Sequence, residues 1–464
     1  MSIGGVRVGA RRGLLGAERS DALTVARRLA ASGRPWFWLD GEGAAAGEPR
    51  ASYLGIASEV REARRGSEAE FLRGLRRGCG EGAAAPGFSG GWILALGYEF
   101  GVGLLGVDPH PDDASPGFAL RADAVIVVDH EAGTCEIVGD PLAAAPLRQL
   151  LEAPDGAPRP PANASRTAPT PRPEGLGRGW RNADYIGAVE QCRSAIRRGD
   201  AYVLCLTDTV ESESAKSPLE LYEGLRGGAV RGGVIALADR ALVSASPERF
   251  LSVRALPGEG GLAVSTHPIK GTRPRGDTPE RDTELAEELA KDPKERAENL
   301  MIVDLMRNDL ARVCVPGSVR VDRFLAVETH PRVHQLVSSV SGVLAGGSDS
   351  FDAIASCFPG GSMTGAPKRR AVELLGELEP GPRGLYSGCF GWVSDGGAAE
   401  LAMTIRGVEL RRGEPGGGEP GGEAWTGARW RALVGAGGGI TIDSVAADEL
   451  AERDLKAAAM LANL

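Results

Sequence analysis

The stretch GVIALADRALVSASPERF, residues 233–250, holds two apolar runs, GVIALAD and ALVSASP, separated by one arginine. Each reads as a strand. They follow one another with no helix-length segment between them, so a strict strand–helix–strand alternation fails here. Upstream, AYVLCLT (201–207) reads as another strand. Residues 183–198 carry helical spacing (Tyr185, Val189, Ile196) closed by Gly199. Downstream, Thr278 to Arg312 is the longest helical stretch, with Pro279 near its start and Pro293 marking a break. VHQLVSSVSGVL (333–344) and GCFGWVS (388–394) return to strand character, and residues 446–462 read as a closing helix. Nearer the N-terminus, PWFWLDG (35–41), GGWILALGYEF (90–100) and DAVIVVDH (123–130) predict strands, with helical patches over 21–32 and 68–77. The mixture predicts an α+β fold.

A chain of 464 residues can bury a large core and form two or three domains. The formal charge of −9 argues against a surface for nucleic acid or anionic membrane, so an anionic ligand needs a local positive site. The seven cysteines stand singly, without a CxxC pair, the pattern of reduced thiols in a cytoplasmic protein. No segment has the apolar length of a signal peptide or membrane span. The proline-dense stretch 153–177 predicts a linker between an N-terminal region, 1–152, and a second region, 178–464. RRGEPGGGEPGGEA (411–424) predicts a flexible loop.

Three motifs fail on inspection. GGSMTGAPK (360–368) has P-loop glycines, but Ala366 and Pro367 stand where Lys and Ser/Thr are needed. GAGGGI (435–440) lacks the third glycine of a dinucleotide loop, and SGCFG (387–391) misses a nucleophile elbow by one position.

The acidic spacing is more informative. KERAEN puts Glu295 and Glu298 on one helical face, and DELAERDLK does the same for Glu449 and Glu452. Two such pairs suit Mg²⁺, which takes a few carboxylates plus water and substrate oxygens; the plainer reading is two solvated helix faces. GAGGG can offer successive amides to a carboxylate, or simply form a tight hairpin. Arg406 is a buried carboxylate's partner or an edge charge, and His334 an acid/base group or a hydrogen-bonded strand residue. Lys270, in HPIKGTRPRG (267–276), is a strand-end charge or an amine placed to react.

Taken in order, GDAY (199–202), SPERF (246–250), PIKGTRPRG (268–276), KERAENLMIVDLMRNDL (294–310), VHQLVSSVSG (333–342), FPGGSMTGAPKRRA (358–371), GLYSGCFGW (384–392) and GAGGGITIDS (435–444) resemble the chorismate-utilising enzymes. WLDG, SYLG and GGWILALGYEFG extend the resemblance over nearly the whole chain. PIKGT and Asn299 lean towards the aminodeoxychorismate synthase component I branch; anthranilate synthases usually have alanine and histidine at those positions. Anthranilate synthase component I and a non-catalytic homologue are the rival readings.

The resemblance implies two large antiparallel sheets packed as a sandwich with helices outside. It implies that Lys270 attacks the chorismate ring and displaces the 4-hydroxyl, with Glu248 as general acid or base and His334 nearby. Such an amine must be neutral, so desolvation and cationic neighbours are expected to lower its pKa. Glu295, Glu298, Glu449 and Glu452 would hold Mg²⁺. Tyr386, Arg406, Lys456 and the amides of Gly435, Ala436, Gly437 and Gly438 would hold carboxylates, and Thr272, His334 and Thr364 would line the ring pocket. Ammonia from a separate glutamine amidotransferase subunit would be the second substrate, on the way to p-aminobenzoate. Val203, His267, His330 and Arg453 depart from the family's usual residues. Val203 replaces the lysine that activates water in the isochorismate branch, which argues against water as nucleophile.

Overall fold

The computed structural model describes residues 21–44, 47–80, 87–152, 182–258, 261–330, 333–412 and 430–464. The proline-dense stretch 153–177 and most of the 411–424 loop lie outside the described residues.

GVIALADRALVSASP forms a hairpin: Arg231–Ala236 pairs antiparallel with Arg240–Ser246, Val234 opposite Val243. It sits mid-sheet. Outward on one side lie Trp36–Asp40, Ala51–Ile56, Ala124–Asp129 and Thr134–Gly139. On the other lie Gly407–Arg412, Trp430–Ile440, Val203–Ser214 and the short Gly365–Ala366, making ten strands. A second ten-stranded sheet runs Ile269–Pro274, Val333–Val343, Leu262–His267, Arg249–Ala255, Ala399–Met403, Cys389–Ser394, Gly91–Leu96, Gly117–Ala122 and Glu59–Glu62, with Arg320–Thr329 also paired to Val333–Val343. The pairings in both sheets are antiparallel. Strands before residue 140 and after residue 200 share both sheets, so the two regions divided in the sequence build one sandwich.

The sheets pack through Phe37, Val125, Ile235 and Leu242 from one and Ile93, Phe118, Leu120 and Phe390 from the other. Outer faces are covered by helices. Ala22–Ala31, Pro141–Glu152, Pro218–Leu225 and Ala446–Leu461 cover the first sheet. Glu68–Arg77, Pro293–Ala311 and Ser350–Cys357 cover the second. The break expected at Pro293 is there: one helix spans Pro279–Lys291 and the next begins at Pro293. Asp292 caps the second helix, accepting from the amides of Lys294 (2.9 Å) and Glu295 (3.1 Å).

GGWILALGYEF is only half strand, since Tyr98–Leu104 is helical and Gly101 packs against Pro359. All seven cysteines are free, consistent with their single spacing. Among the described residues no helix is long and apolar enough to cross a membrane.

Candidate active site

The glycine run is neither an anion nest nor a hairpin. It is the end of the strand Trp430–Ile440, paired residue by residue with Val203–Ser214 (Gly435 opposite Thr209, Gly439 opposite Cys205). Amides along a strand alternate in direction, so the four from Gly435 to Gly438 cannot converge on one carboxylate. The glycines matter for closeness instead. A Cβ on Gly438 would stand 3.0 Å from Glu449 Oε2 and 3.6 Å from Glu452 Oε1. One on Gly439 would stand 3.3 Å from Glu298 Oε2 and 3.4 Å from Lys270 Nζ. Glu298, Glu449, Glu452 and the lysine therefore meet over this bare backbone, while Glu295 lies beside Gly271.

Two helices deliver the carboxylates, and each is pinned. Asn299, fully buried, donates to the Leu336 carbonyl (3.2 Å) and accepts from Ser338 Oγ (2.5 Å), locking Pro293–Ala311 onto the strand Val333–Val343. That fixes Glu298, 7% exposed, towards Lys270. On Ala446–Leu461, Arg453 turns away from the site. It is buried, bonds Asp208 Oδ2 at 3.0 Å and Asn182 Oδ1 at 3.0 Å, and lies over the Tyr185 ring. Arg453 thus anchors the helix, and Ser444 Oγ holds Glu449 Oε1 at 2.7 Å.

Each carboxylate faces a cation. Lys270 Nζ is 3.7 Å from Glu298, Lys294 Nζ 3.2 Å from Glu449, Lys456 Nζ 2.6 Å from Glu452, and Arg273 3.6 Å from Glu295. The expectation of a lowered lysine pKa is overturned in this state. Burial alone would lower it, but attraction to Glu298 first, and to Glu248 and Glu452, raises it above the ordinary lysine value. Lys270 is protonated here.

Glu248 behaves in the opposite sense. Sealed at 6% exposure, it is pushed up to about 7 by burial, against the lowering effects of the Ser362 hydroxyl, Lys270 and Lys456. A carboxyl that titrates near neutrality can both give and take a proton.

As ligands for Mg²⁺, the donors are right in kind: hard carboxylate oxygens from two helices. Among the described residues no three His, Cys, Asp or Glu side chains are gathered closely enough to grip one ion. Lys294 and Lys456 are 48% and 43% exposed, so both can swing into solvent and free Glu449 and Glu452. The donor chemistry suits the ion, and a grip on it would also need the two helices' carboxylates to draw closer.

The other expected residues are placed unevenly. Lys456 also donates to the Gly437 carbonyl at 2.9 Å. Tyr386 lies flat against Gly435, where a Cβ would come within 2.1 Å of its ring, and burial pushes its hydroxyl pKa up. Arg406, with left-handed φ of 50°, is reached by solvent yet ringed by protein, and that desolvation lowers its pKa. No carboxylate pairs with it among the described residues.

His334 is buried with both nitrogens engaged, Nε2 with Asp282 and Nδ1 with Thr329, each at 2.9 Å. Thr364 is fully buried and donates to the Gly360 carbonyl at 3.1 Å, which holds its own loop together. In this arrangement both ring nitrogens of His334 and the hydroxyl proton of Thr364 are engaged within the protein. Thr272 is exposed on the lysine strand, opposite Gln335.

Sequence reasoning missed Ser362 and the buried Arg383. Arg383 binds both oxygens of Glu379 (2.7 and 2.8 Å) and the carbonyls of Met363 (2.7 Å) and Cys205 (2.9 Å). It thereby ties the FPGGSMTGAP loop to the strand beneath. Both residues lie in or beside quoted motifs, yet no spacing rule marks them.

The sequence pattern of the chorismate binding enzymes matches residues 29–462. The chain belongs to this family. Among chorismate binding enzymes it is similar to an aminodeoxychorismate synthase of Streptomyces pristinaespiralis, 38% identical over 81% of this chain and 51% of that one. It thus spans about half the length of that relative. Aminodeoxychorismate synthase component 1 of Salmonella typhimurium is 34% identical over 77% of this chain and 73% of its own. The crystal structure of anthranilate synthase component I from Streptococcus pneumoniae superposes with a TM-score of 0.68 at 27% identity, covering 92% of this chain and 90% of that one.

Proposed function

We propose that this chain is the chorismate-aminating component of an aminodeoxychorismate synthase. It would convert chorismate and ammonia to 4-amino-4-deoxychorismate on the way to p-aminobenzoate, with ammonia supplied by a glutamine amidotransferase subunit. The observation that carries this reading is the pair Lys270 and Glu248: an amine at the glycine strand, and a sealed carboxyl near neutral pKa that feels its charge.

In the proposed reaction Lys270 Nζ bonds to the chorismate ring as the 4-hydroxyl leaves, and Glu248 gives that hydroxyl its proton so that water departs. Ammonia then bonds to the ring, the lysine leaves, and the surplus proton returns to Glu248. Arg406 would suit a substrate carboxylate, because no carboxylate pairs with its guanidinium among the described residues. Mg²⁺, when bound, would be held by Glu298 and Glu452 with Glu295 and Glu449 beside them, and would supply Lewis-acid grip on a carboxylate. Glu298 and Glu452 would then hold the proton on Lys270 less tightly, which a neutral amine requires.

A second reading is anthranilate synthase component I, which the Streptococcus pneumoniae fold match favours. Incubation with chorismate, Mg²⁺ and ammonium, followed by mass spectrometry, separates the two. Aminodeoxychorismate supports the proposal; anthranilate with loss of pyruvate refutes it.

A further inference from the structure

The mechanism leaves open which oxygen of Glu248 carries the proton. Ser362 answers this. It sits in the 3₁₀ turn Gly361–Met363 of the FPGGSMTGAP loop, 6% exposed, and its Oγ donates to Glu248 Oε1 at 2.7 Å. The turn has little freedom. A Cβ on Gly361 would meet Leu305 at 2.5 Å, and one on Gly360 would meet Met403 at 2.8 Å, so both glycines press the loop onto its neighbours. Thr364 Oγ1 holds the Gly360 carbonyl on one side, and Arg383 holds that of Met363 on the other. The backbone of Glu248 is fixed as well: its amide donates to Ser246 Oγ (3.2 Å), and its carbonyl accepts from the Met403 amide (3.0 Å).

We infer that Ser362 is a positioning residue: by occupying Oε1 of Glu248 it reserves Oε2 for the proton that passes to and from substrate. A hydroxyl donated to a carboxylate favours the ionised form, so the same bond restrains how far burial raises the carboxyl's proton affinity. The other charged groups acting on Glu248 are Lys270, from the lysine strand, and Lys456, from the closing helix; both favour ionisation too. Ser362 is the uncharged member of this set, and its effect resists salt.

This inference rests on the proposed amination of chorismate only for its kinetic consequences; the hydrogen bond can be tested without substrate. The infrared carboxyl band present in the wild type and lost in Glu248→Gln reports the titration of Glu248 directly. In the wild type its midpoint should lie at about 7. In Ser362→Ala it should move up by about one pH unit, a tenfold gain in proton affinity, the usual worth of a hydrogen bond to a charged group. Ser362→Thr keeps the hydroxyl and should return the midpoint to within about a third of a unit of wild type. With chorismate and ammonium, Ser362→Ala should lose about tenfold in kcat with little change in KM. A Glu248 midpoint that stays put or falls in Ser362→Ala overturns the inference. Wild-type protein that leaves chorismate untouched refutes the functional proposal instead, and the infrared result still decides the role of Ser362.

Discussion

Arg453 stands one residue after Glu452, and its role here is mechanical. Consider Arg453→Thr. The guanidinium is 3% exposed and Asp208 4%, their contact is 3.0 Å, and the variant leaves Asp208 buried without it. Removing one partner of a buried pair costs about 3–5 kcal/mol. The lower end applies, because threonine still packs part of the space over Tyr185. Unfolding entropy of about 2.1 cal/mol/K per residue gives roughly 1 kcal/mol per degree for a chain of this length, so Tm should fall by about 3 °C. Differential scanning calorimetry reads this directly. Adding Asp208→Ser removes the carboxylate that Arg453 had neutralised, so the double variant should regain at least half the loss. A single variant within about half a degree of wild type, or a double variant less stable than the single, would refute the reasoning.

Three further outcomes follow from the site. Lys270→Arg should keep the fold but form no covalent adduct with chorismate in intact-protein mass spectrometry, because guanidinium stays protonated; near-normal turnover would return Lys270 to a simple charge. Glu298→Gln and Glu452→Gln should each weaken Mg²⁺ binding by more than about tenfold in titration calorimetry, and full activity after thorough chelation would remove the metal from the proposal. The purified chain should use ammonium salts at raised pH and accept glutamine only with an added amidotransferase. Glutamine hydrolysis by this chain alone would contradict the two-component reading.

Much of the fold was legible because its cues are local. Pro293 interrupts the long helical stretch where expected, and the run 233–247 forms its hairpin without needing distant residues. GAGGG misled for the same reason. Locally, five small residues look like a turn, and only pairing with Val203–Ser214, more than 200 residues away, extends them. The charge state of Lys270 was equally hidden: Glu298 and Glu452 arrive on separate helices, and nothing in PIKGT announces them. The helix Lys368–Leu378 could have been found, since Ala371, Val372, Leu375 and Leu378 repeat at helical spacing. Its neighbour Ser362 could not, because its meaning lies in a carboxylate 114 positions earlier.

The bare end of the Trp430–Ile440 strand carries one more consequence. Gly435 is filled by the Tyr386 ring, and Gly438 and Gly439 border on charged atoms of Glu449, Glu298 and Lys270. A methyl group at Gly435 would displace the aromatic ring and one at Gly437 would run into the Leu206 carbonyl at 2.1 Å, while at Gly438 or Gly439 it would press on the charged side-chain ends. The floor is consequently closed to adjustment by substitution, and any drift of this scaffold towards new reactions has to be written on its walls, in the residues that reach over the strand from other elements. Two chains could share an identical floor and still run different chemistry.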